Sequence, residues 1–227
     1  MTESVFIGID LGTTVLKVCA FSTRTGAVLG QESIRLTVQS FPEGGFEIEL
    51  KSIDRAFKKA LKSVLSQSNS QWNPIEGIGL ASQAGSSIIA DRKTGKALTP
   101  MILWNDGRSY HYTKRLSEKV SARYWRRYLL SDSAPAGLGR LVWLKEKYPD
   151  LFQDDNIHIG AGEYLFFRLT GIWRQDAGNA VQIGSYNAVT QKLFSTLFKQ
   201  IDVPLSFVAP LRKPDETAVL SKEGATF

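Results

Sequence analysis

The stretch Val5-Phe6-Ile7-Gly8-Ile9-Asp10-Leu11-Gly12-Thr13-Thr14-Val15-Leu16-Lys17-Val18-Cys19-Ala20-Phe21 places two apolar-rich runs on either side of a short turn, Leu11 to Thr14. Such runs, bounded by a turn that contains glycine, predict strands over Val5 to Asp10 and Val15 to Phe21. A third run, Ala27 to Leu36, follows the turn Thr23-Arg24-Thr25-Gly26, so the first forty residues read as an antiparallel meander. The pattern then changes. Ile53, Ala56, Phe57, Ala60, Leu61, Val64 and Leu65 recur at helical spacing with Lys58, Lys59 and Lys62 on the other face, which predicts an amphipathic helix.

A polar loop is expected from Ser66 to Asn73, then a strand over Ile75 to Ala81 whose glycines indicate close contact with a neighbouring backbone. Ser86 to Ala90 reads as its hairpin partner, turning at Asp91 to Gly95. Further along, the spacing predicts a short strand at Pro100 to Trp104 and helices at Ser109 to Val120, near Arg123 to Leu130, and at Gly139 to Lys147. A strand at Asn156 to Ile159, a helix over Glu163 to Leu169 closed by Gly171, an alternating segment over Val181 to Val189 and a helix around Phe194 to Ile201 complete the series, with Pro204 to Phe227 loop-like. Strands first, then strands mixed with helices, point to an α/β fold, a mixed sheet flanked by helices, and the length fits one large domain or two small ones.

With 227 residues, 43% of them hydrophobic and 22% charged, the chain can build a sizeable core, and disorder is excluded. No apolar run approaches a membrane span, and the N-terminus carries no signal-like segment, so a cytoplasmic location is expected. The single cysteine, Cys19, cannot form an internal disulfide and is assigned to the core. His111 and His158 are expected on a helix surface and in a strand, since two scattered histidines give no metal-ligand spacing. The net charge of +6 suits anionic metabolites as well as nucleic acid. The most basic stretch, Arg123-Tyr124-Trp125-Arg126-Arg127-Tyr128, spaces Trp125 and Tyr128 for a buried helix face with its arginines in solvent, so no nucleic-acid partner is expected.

Asp10-Leu11-Gly12-Thr13-Thr14 with Lys17 combines the parts of a phosphate site. Gly12 lets the backbone approach an anion, turn N–H groups can form a nest, and the Thr13 and Thr14 hydroxyls add donors. Lys17 could neutralise a phosphate oxygen, and Asp10 could hold Mg²⁺ directly or through water. From these residues alone, a plain hairpin with Asp and Gly at its turn is the preferred reading.

Gly8-Ile9-Asp10-Leu11-Gly12-Thr13-Thr14, within strands followed by a long helix, resembles the first phosphate motif of the actin-like ATPase superfamily. Other segments resemble one branch, the FGGY carbohydrate kinases. These are Gly77-Ile78-Gly79-Leu80-Ala81-Ser82-Gln83, Leu103-Trp104-Asn105-Asp106-Gly107-Arg108-Ser109, Leu141-Val142-Trp143-Leu144-Lys145-Glu146 with Tyr148-Pro149, Glu163-Tyr164-Leu165 through Leu169-Thr170-Gly171, and Asp176-Ala177-Gly178-Asn179-Ala180. The segment Leu103 to Ser109 is similar to the Trp-Asn-Asp-x-Arg signature of xylulokinase-like members. The resemblance implies an RNase H-like fold and a two-lobed kinase using ATP and Mg²⁺ to phosphorylate a sugar, ketose or polyol. Residues 1–227 would be its N-terminal lobe. Its general base would lie beyond Phe227 and its adenine pocket in a C-terminal lobe, so no residue of this chain is assigned as catalytic. The partners so implied are a small-molecule sugar or polyol and the protein's own second lobe, with a homodimer left open.

The resemblance also implies a sugar wall: Ser82, Gln83, Ala84 and Gly85 on one loop, Trp104, Asp106 and Arg108 on another. An indole offers a flat face to the C–H side of a sugar, while amide, carboxylate and guanidinium groups satisfy its hydroxyls. A buried Trp104 with a structural Asp106–Arg108 turn pair is the alternative. Gly44 to Glu49 read as lobe surface. Gln83-Ala84-Gly85-Ser86 stands where xylulokinases carry Gln-Met-His-Gly, which predicts a larger or differently polar pocket. The Arg-Glu pair of glycerol kinases and their tyrosine near Pro135 are absent. Neither D-xylulose nor glycerol is therefore implied. A stand-alone sugar- or partner-binding module, and an actin-like ATPase that hydrolyses ATP without sugar, are the rival readings.

Overall fold

The computed structural model describes residues 3–68, 72–213 and 215–226. The meander forms as its alternation predicts: β1 (Glu3–Leu11), β2 (Val15–Ser22) and β3 (Val28–Arg35) are antiparallel neighbours. Val5, Ile7, Ile9 and Leu11 on β1 join Leu16, Val18 and Ala20 on β2 on one buried face. The short pair β4 (Gln39–Ser40) and β5 (Phe46–Ile48) leads into α1 (Leu50–Ser66), which buries Ile53, Phe57, Ala60 and Val64 against that face. The next strand, β6 (Trp72–Ser82), lies parallel to β1 and gives the sheet the order β3-β2-β1-β6. Of the loop expected over Ser66 to Asn73, residues 69–71 lie outside the described residues.

The glycines of β6 do not mark the expected contact with a neighbouring backbone: a Cβ on Gly79 would meet nothing within 4 Å, and Gly77 meets a side chain. A Cβ on Gly77 would lie 2.4 Å from the Phe6 ring, so the phenyl sits against the strand only because no side chain is there. Cys19 is not in the core. Its register opposite Gly8 puts it on the sheet face of Lys17 and Phe21, away from α1, where it is half-buried.

The predicted hairpin between β6 and Ser86 to Ala90 does not form. Instead β7 (Ile88–Asp91) pairs antiparallel with β9 (Asn156–Ile159), a partner far along the chain. Burial explains the difference. Ile88 and Ala90 face the core beneath the main sheet, whereas Ile89 faces a second core; β8 (Met101–Ile102) repeats the division with Met101 and Ile102. A strand apolar on both faces belongs between two cores, not beside the exposed edge of β6.

That second core lies among α2 (Tyr110–Lys119), α3 (Ala122–Leu129) and α4 (Ala136–Lys147), with Trp125, Leu129, Leu138, Leu141 and Leu144 at its centre. Arg123, Arg126 and Arg127 point to solvent, and His111 is exposed on α2. After β9, α5 (Ala161–Thr170) ends at Gly171 and is tied to α1 where the Tyr164 hydroxyl donates to Asp54 at 2.9 Å. The segment read as alternating from Val181 begins as the end of a helix, α6 (Ala177–Gln182). Asp176 caps it by accepting the Asn179 N–H at 2.9 Å, and only Tyr186–Asn187 (β10) is strand, paired with β11 (Lys192–Leu193) ahead of α7 (Thr196–Gln200). Beyond it, the described residues hold short 3₁₀ turns and isolated β-bridges at Val208 and Leu211. Among the described residues no helix is long and apolar enough to cross a membrane.

Candidate functional site

The site is built where the C-terminal ends of β1 and β6 lie side by side. Parallel pairing sets Leu11 opposite Ser82, and the Gln83 N–H donates to the Leu11 carbonyl at 2.9 Å. The turn after β1 closes on itself, with the Gly12 N–H donating to Val15 at 3.0 Å. Asp10 and Lys17 face each other across the hairpin, both exposed on the sheet face opposite α1. Thr14 is exposed at the tip.

The Gln83 side chain crosses from one loop to the other. Its Nε2 donates to the Gly12 carbonyl at 3.3 Å, and its Oε1 accepts from the Thr13 hydroxyl at 3.2 Å and from the Ser86 hydroxyl at 3.1 Å. Thr13 Oγ1 also accepts the indole N–H of Trp104 at 3.0 Å. One hydroxyl thus joins the turn after β1, the Gln83 loop and Trp104. The indole is 53% exposed, so it is not a core residue; its polar edge is held and its face is open. Beside it lies a cavity of about 750 Å³ whose lining includes Tyr110, Leu130, Ser133, Pro135 and Gln182.

Asp106 and Arg108 take the other of their two readings. The Asp106 carboxylate has no exposed side-chain area, accepts the Phe46 N–H at 2.8 Å and the Arg108 N–H at 3.0 Å, and pairs with the Arg108 guanidinium at 2.7 Å. Arg108 also reaches Glu47 at 2.6 Å and lies 4.6 Å from the centre of the Trp143 ring. These bonds brace the Trp104 loop against β5, and Glu47, read from sequence as lobe surface, is buried in the brace.

Sequence reasoning assigned no role to the partners of Gly85. Its φ of +78° is a conformation that favours glycine, and its N–H donates to Asn179 Oδ1 at 3.1 Å. Asn179 Nδ2 in turn donates to Glu163 at 2.8 Å, and the other Glu163 oxygen accepts the Gly160 N–H at 2.9 Å. Both residues stand in segments quoted above for the resemblance, but spacing could not show that they meet beneath a loop.

Burial pushes the Glu163 carboxyl up from about 4.5 to about 7 despite those donors. Between those values the unfolded chain has released the proton and the folded protein retains it. Stability from this group therefore falls as pH rises through the window, by about 3 kcal/mol, and levels off above it. Burial pulls His158 the opposite way, from 6.5 to about 3, so its contribution is lost on acidification. The two slopes oppose each other from about pH 4.5 to 6.5. Glu163→Gln removes one of them: relative to wild type, the variant gains about 3 kcal/mol between pH 4.5 and 7 in urea unfolding. Parallel curves for the two proteins would show that Glu163 does not titrate there.

The profile of the "FGGY family of carbohydrate kinases, N-terminal domain" matches residues 5–226. The chain belongs to the FGGY family. Among curated relatives of this kinase family, the xylulose kinase of Bacillus subtilis is 26% identical over 209 residues, covering 90% of this chain and 41% of the relative. A glycerol kinase of Synechocystis is 30% identical over 182 residues, covering 77% and 36%. Among solved structures, Plasmodium falciparum glycerol kinase with ADP superposes with a TM-score of 0.90 at 18% identity, over 99% of this chain and 46% of that one. Xylulose kinase from Rhodospirillum rubrum gives 0.88 at 20% identity, over 98% and 46%. These superpositions show the fold, the single α/β lobe of the FGGY kinases. The chain spans less than half the length of these relatives.

Within this FGGY lobe, Asp10 is an exposed carboxylate, and no group of three or more His, Cys, Asp or Glu forms a metal cage among the described residues. That donor set fits Mg²⁺, which binds through one or two carboxylates together with substrate phosphates and water.

Proposed function

We propose that the protein is an ATP-dependent kinase that transfers the terminal phosphoryl group to a hydroxyl of a sugar, ketose or polyol, and that residues 1–227 form its sugar-holding lobe. The observation that carries the reading is the Thr13 hydroxyl, bonded to both Gln83 and Trp104. Any phosphate seated at the turn is then one side chain away from any ligand seated on the indole. Asp10 would hold Mg²⁺, whose charge would offset that on the phosphate oxygens, and Lys17 and the Thr14 hydroxyl belong to the same turn. Trp104 presents its face to the C–H side of the sugar and Gln83 orients the loop that completes the cleft, with Ala84 and Gly85 leaving space. Asp106 and Arg108 act through Trp104 by fixing its loop. The sugar oxygen attacks the terminal phosphorus, ADP leaves, and the hydroxyl proton passes to a base in a second lobe beyond Phe227. A cytoplasmic setting belongs to the same reading.

The test is Trp104→Ala in the full-length protein. Sugar affinity falls about tenfold or more, Mg-ATP affinity stays within about twofold, and the apo melting temperature changes little because the indole is half-exposed. Unchanged sugar affinity would remove Trp104 from the cleft. The isolated chain supplies a second measurement. Lacking base and adenine pocket, it gives no sugar-dependent ADP in a coupled assay, and steady turnover by pure chain would place the base within residues 1–227.

A further inference from the structure

Helix α4 carries a charge where its period calls for an apolar side chain. Arg140 is fully buried between Leu138 and Leu141, and among the described residues its Nε has no partner and its guanidinium forms no ion pair. The carboxylate whose field reaches it, Asp106, is already bonded to Arg108. Burying a cation without a bonded counter-charge is costly, so packing alone is a poor reason for an arginine here. Burial lowers its affinity for the proton only to about 10, which leaves it charged at neutral pH.

The side chain's remaining nitrogens show what it does. Nη1 donates to the Gly85 carbonyl and Nη2 to the Trp104 carbonyl, the latter at 2.9 Å. These carbonyls belong to the two segments that carry Gln83 and Trp104. The segments touch: a Cβ on Gly85 would lie 3.5 Å from the Cβ of Trp104. Asn179 holds the N–H of Gly85, so this residue is gripped at both its N–H and its carbonyl. A guanidinium can make two such bonds in fixed directions because its donors form a rigid planar fork, whereas an ammonium acts as a point charge.

We infer that Arg140 is a positioning residue of the cleft: by bridging the Gly85 and Trp104 carbonyls it sets the distance between the two loops and hence the width available to a ligand between Gln83 and Trp104. The identity of that ligand as a sugar rests on the proposed function; the bridge itself does not.

The experiment compares Arg140→Met and Arg140→Lys with wild type in the full-length protein, with pentuloses, hexuloses and pentitols as acceptors. Arg140→Met raises the acceptor KM at least tenfold and leaves the KM for Mg-ATP within twofold. Amide exchange at Gly85 quickens at least tenfold, while exchange at Ile7 in β1 is unchanged. Arg140→Lys, which keeps the charge but loses the fork, recovers part of both effects. An acceptor KM within twofold of wild type in Arg140→Met overturns the inference, as does unchanged exchange at Gly85. Where Arg140→Met does not fold, Arg140→Lys decides by the same KM split. If wild type uses none of the acceptors, the kinase reading fails, and exchange at Gly85 alone then decides the bridge.

Discussion

Replacing Asp10 by alanine in the full-length protein lowers kcat by about 10²–10³-fold while sugar affinity stays within about twofold, the magnitude expected when one preorganised electrostatic group is removed from a phosphoryl-transfer site. The carboxylate is exposed at the end of β1, opposite Lys17 and next to the Gly12–Thr14 turn, whereas the indole face lies across the Thr13 hydroxyl from it. On the proposed function, its removal therefore acts on metal and phosphate and not on the acceptor. The strands beneath it are unaffected, because Asp10 points away from α1 and supports no core contact. Steady-state kinetics with both substrates, set beside calorimetric sugar binding, check this. Near-normal turnover removes Asp10 from the mechanism, and an effect confined to sugar KM moves it to the cleft.

Phe57→Ala in α1 costs about 3–5 kcal/mol in urea unfolding, through lost transfer energy and the cavity left between helix and sheet. Phe57 has 0% exposure and shares the core with Ile53, Ala60 and Val64. Against a typical stability of about 5–15 kcal/mol, that loss suffices to unfold a marginal domain. Phe57→Leu, which retains most of the volume, costs clearly less than the alanine variant. Lys62→Ala, on the exposed face of the same helix, stays within about 0.5 kcal/mol. A Phe57→Ala loss below about 1 kcal/mol would mean that α1 does not pack on the meander as described.

Local patterns determined a large part of this protein. The meander, α1 and the Asp10-to-Thr14 turn were legible because hairpin register and helical amphipathicity are set by neighbours within a few residues. The ordered series of motifs pointed to the kinase family for the same reason: each is a short segment with its own chemistry. Tertiary structure alone decided the rest. Ile88 to Asp91 reads as a strand from its own residues, but its pairing with β9 depends on two cores that form only when helices α2 to α4 assemble. Asp106 and Arg108 have the composition of a sugar site, and only folding shows their charges turned inward on Glu47 and Phe46. Gly85 is gripped by Arg140 from 55 residues away and by Asn179 from 94, and no periodicity encodes contacts at those separations. A side chain's type limits the bonds it can make; which bonds it makes depends on the groups that burial leaves within its reach.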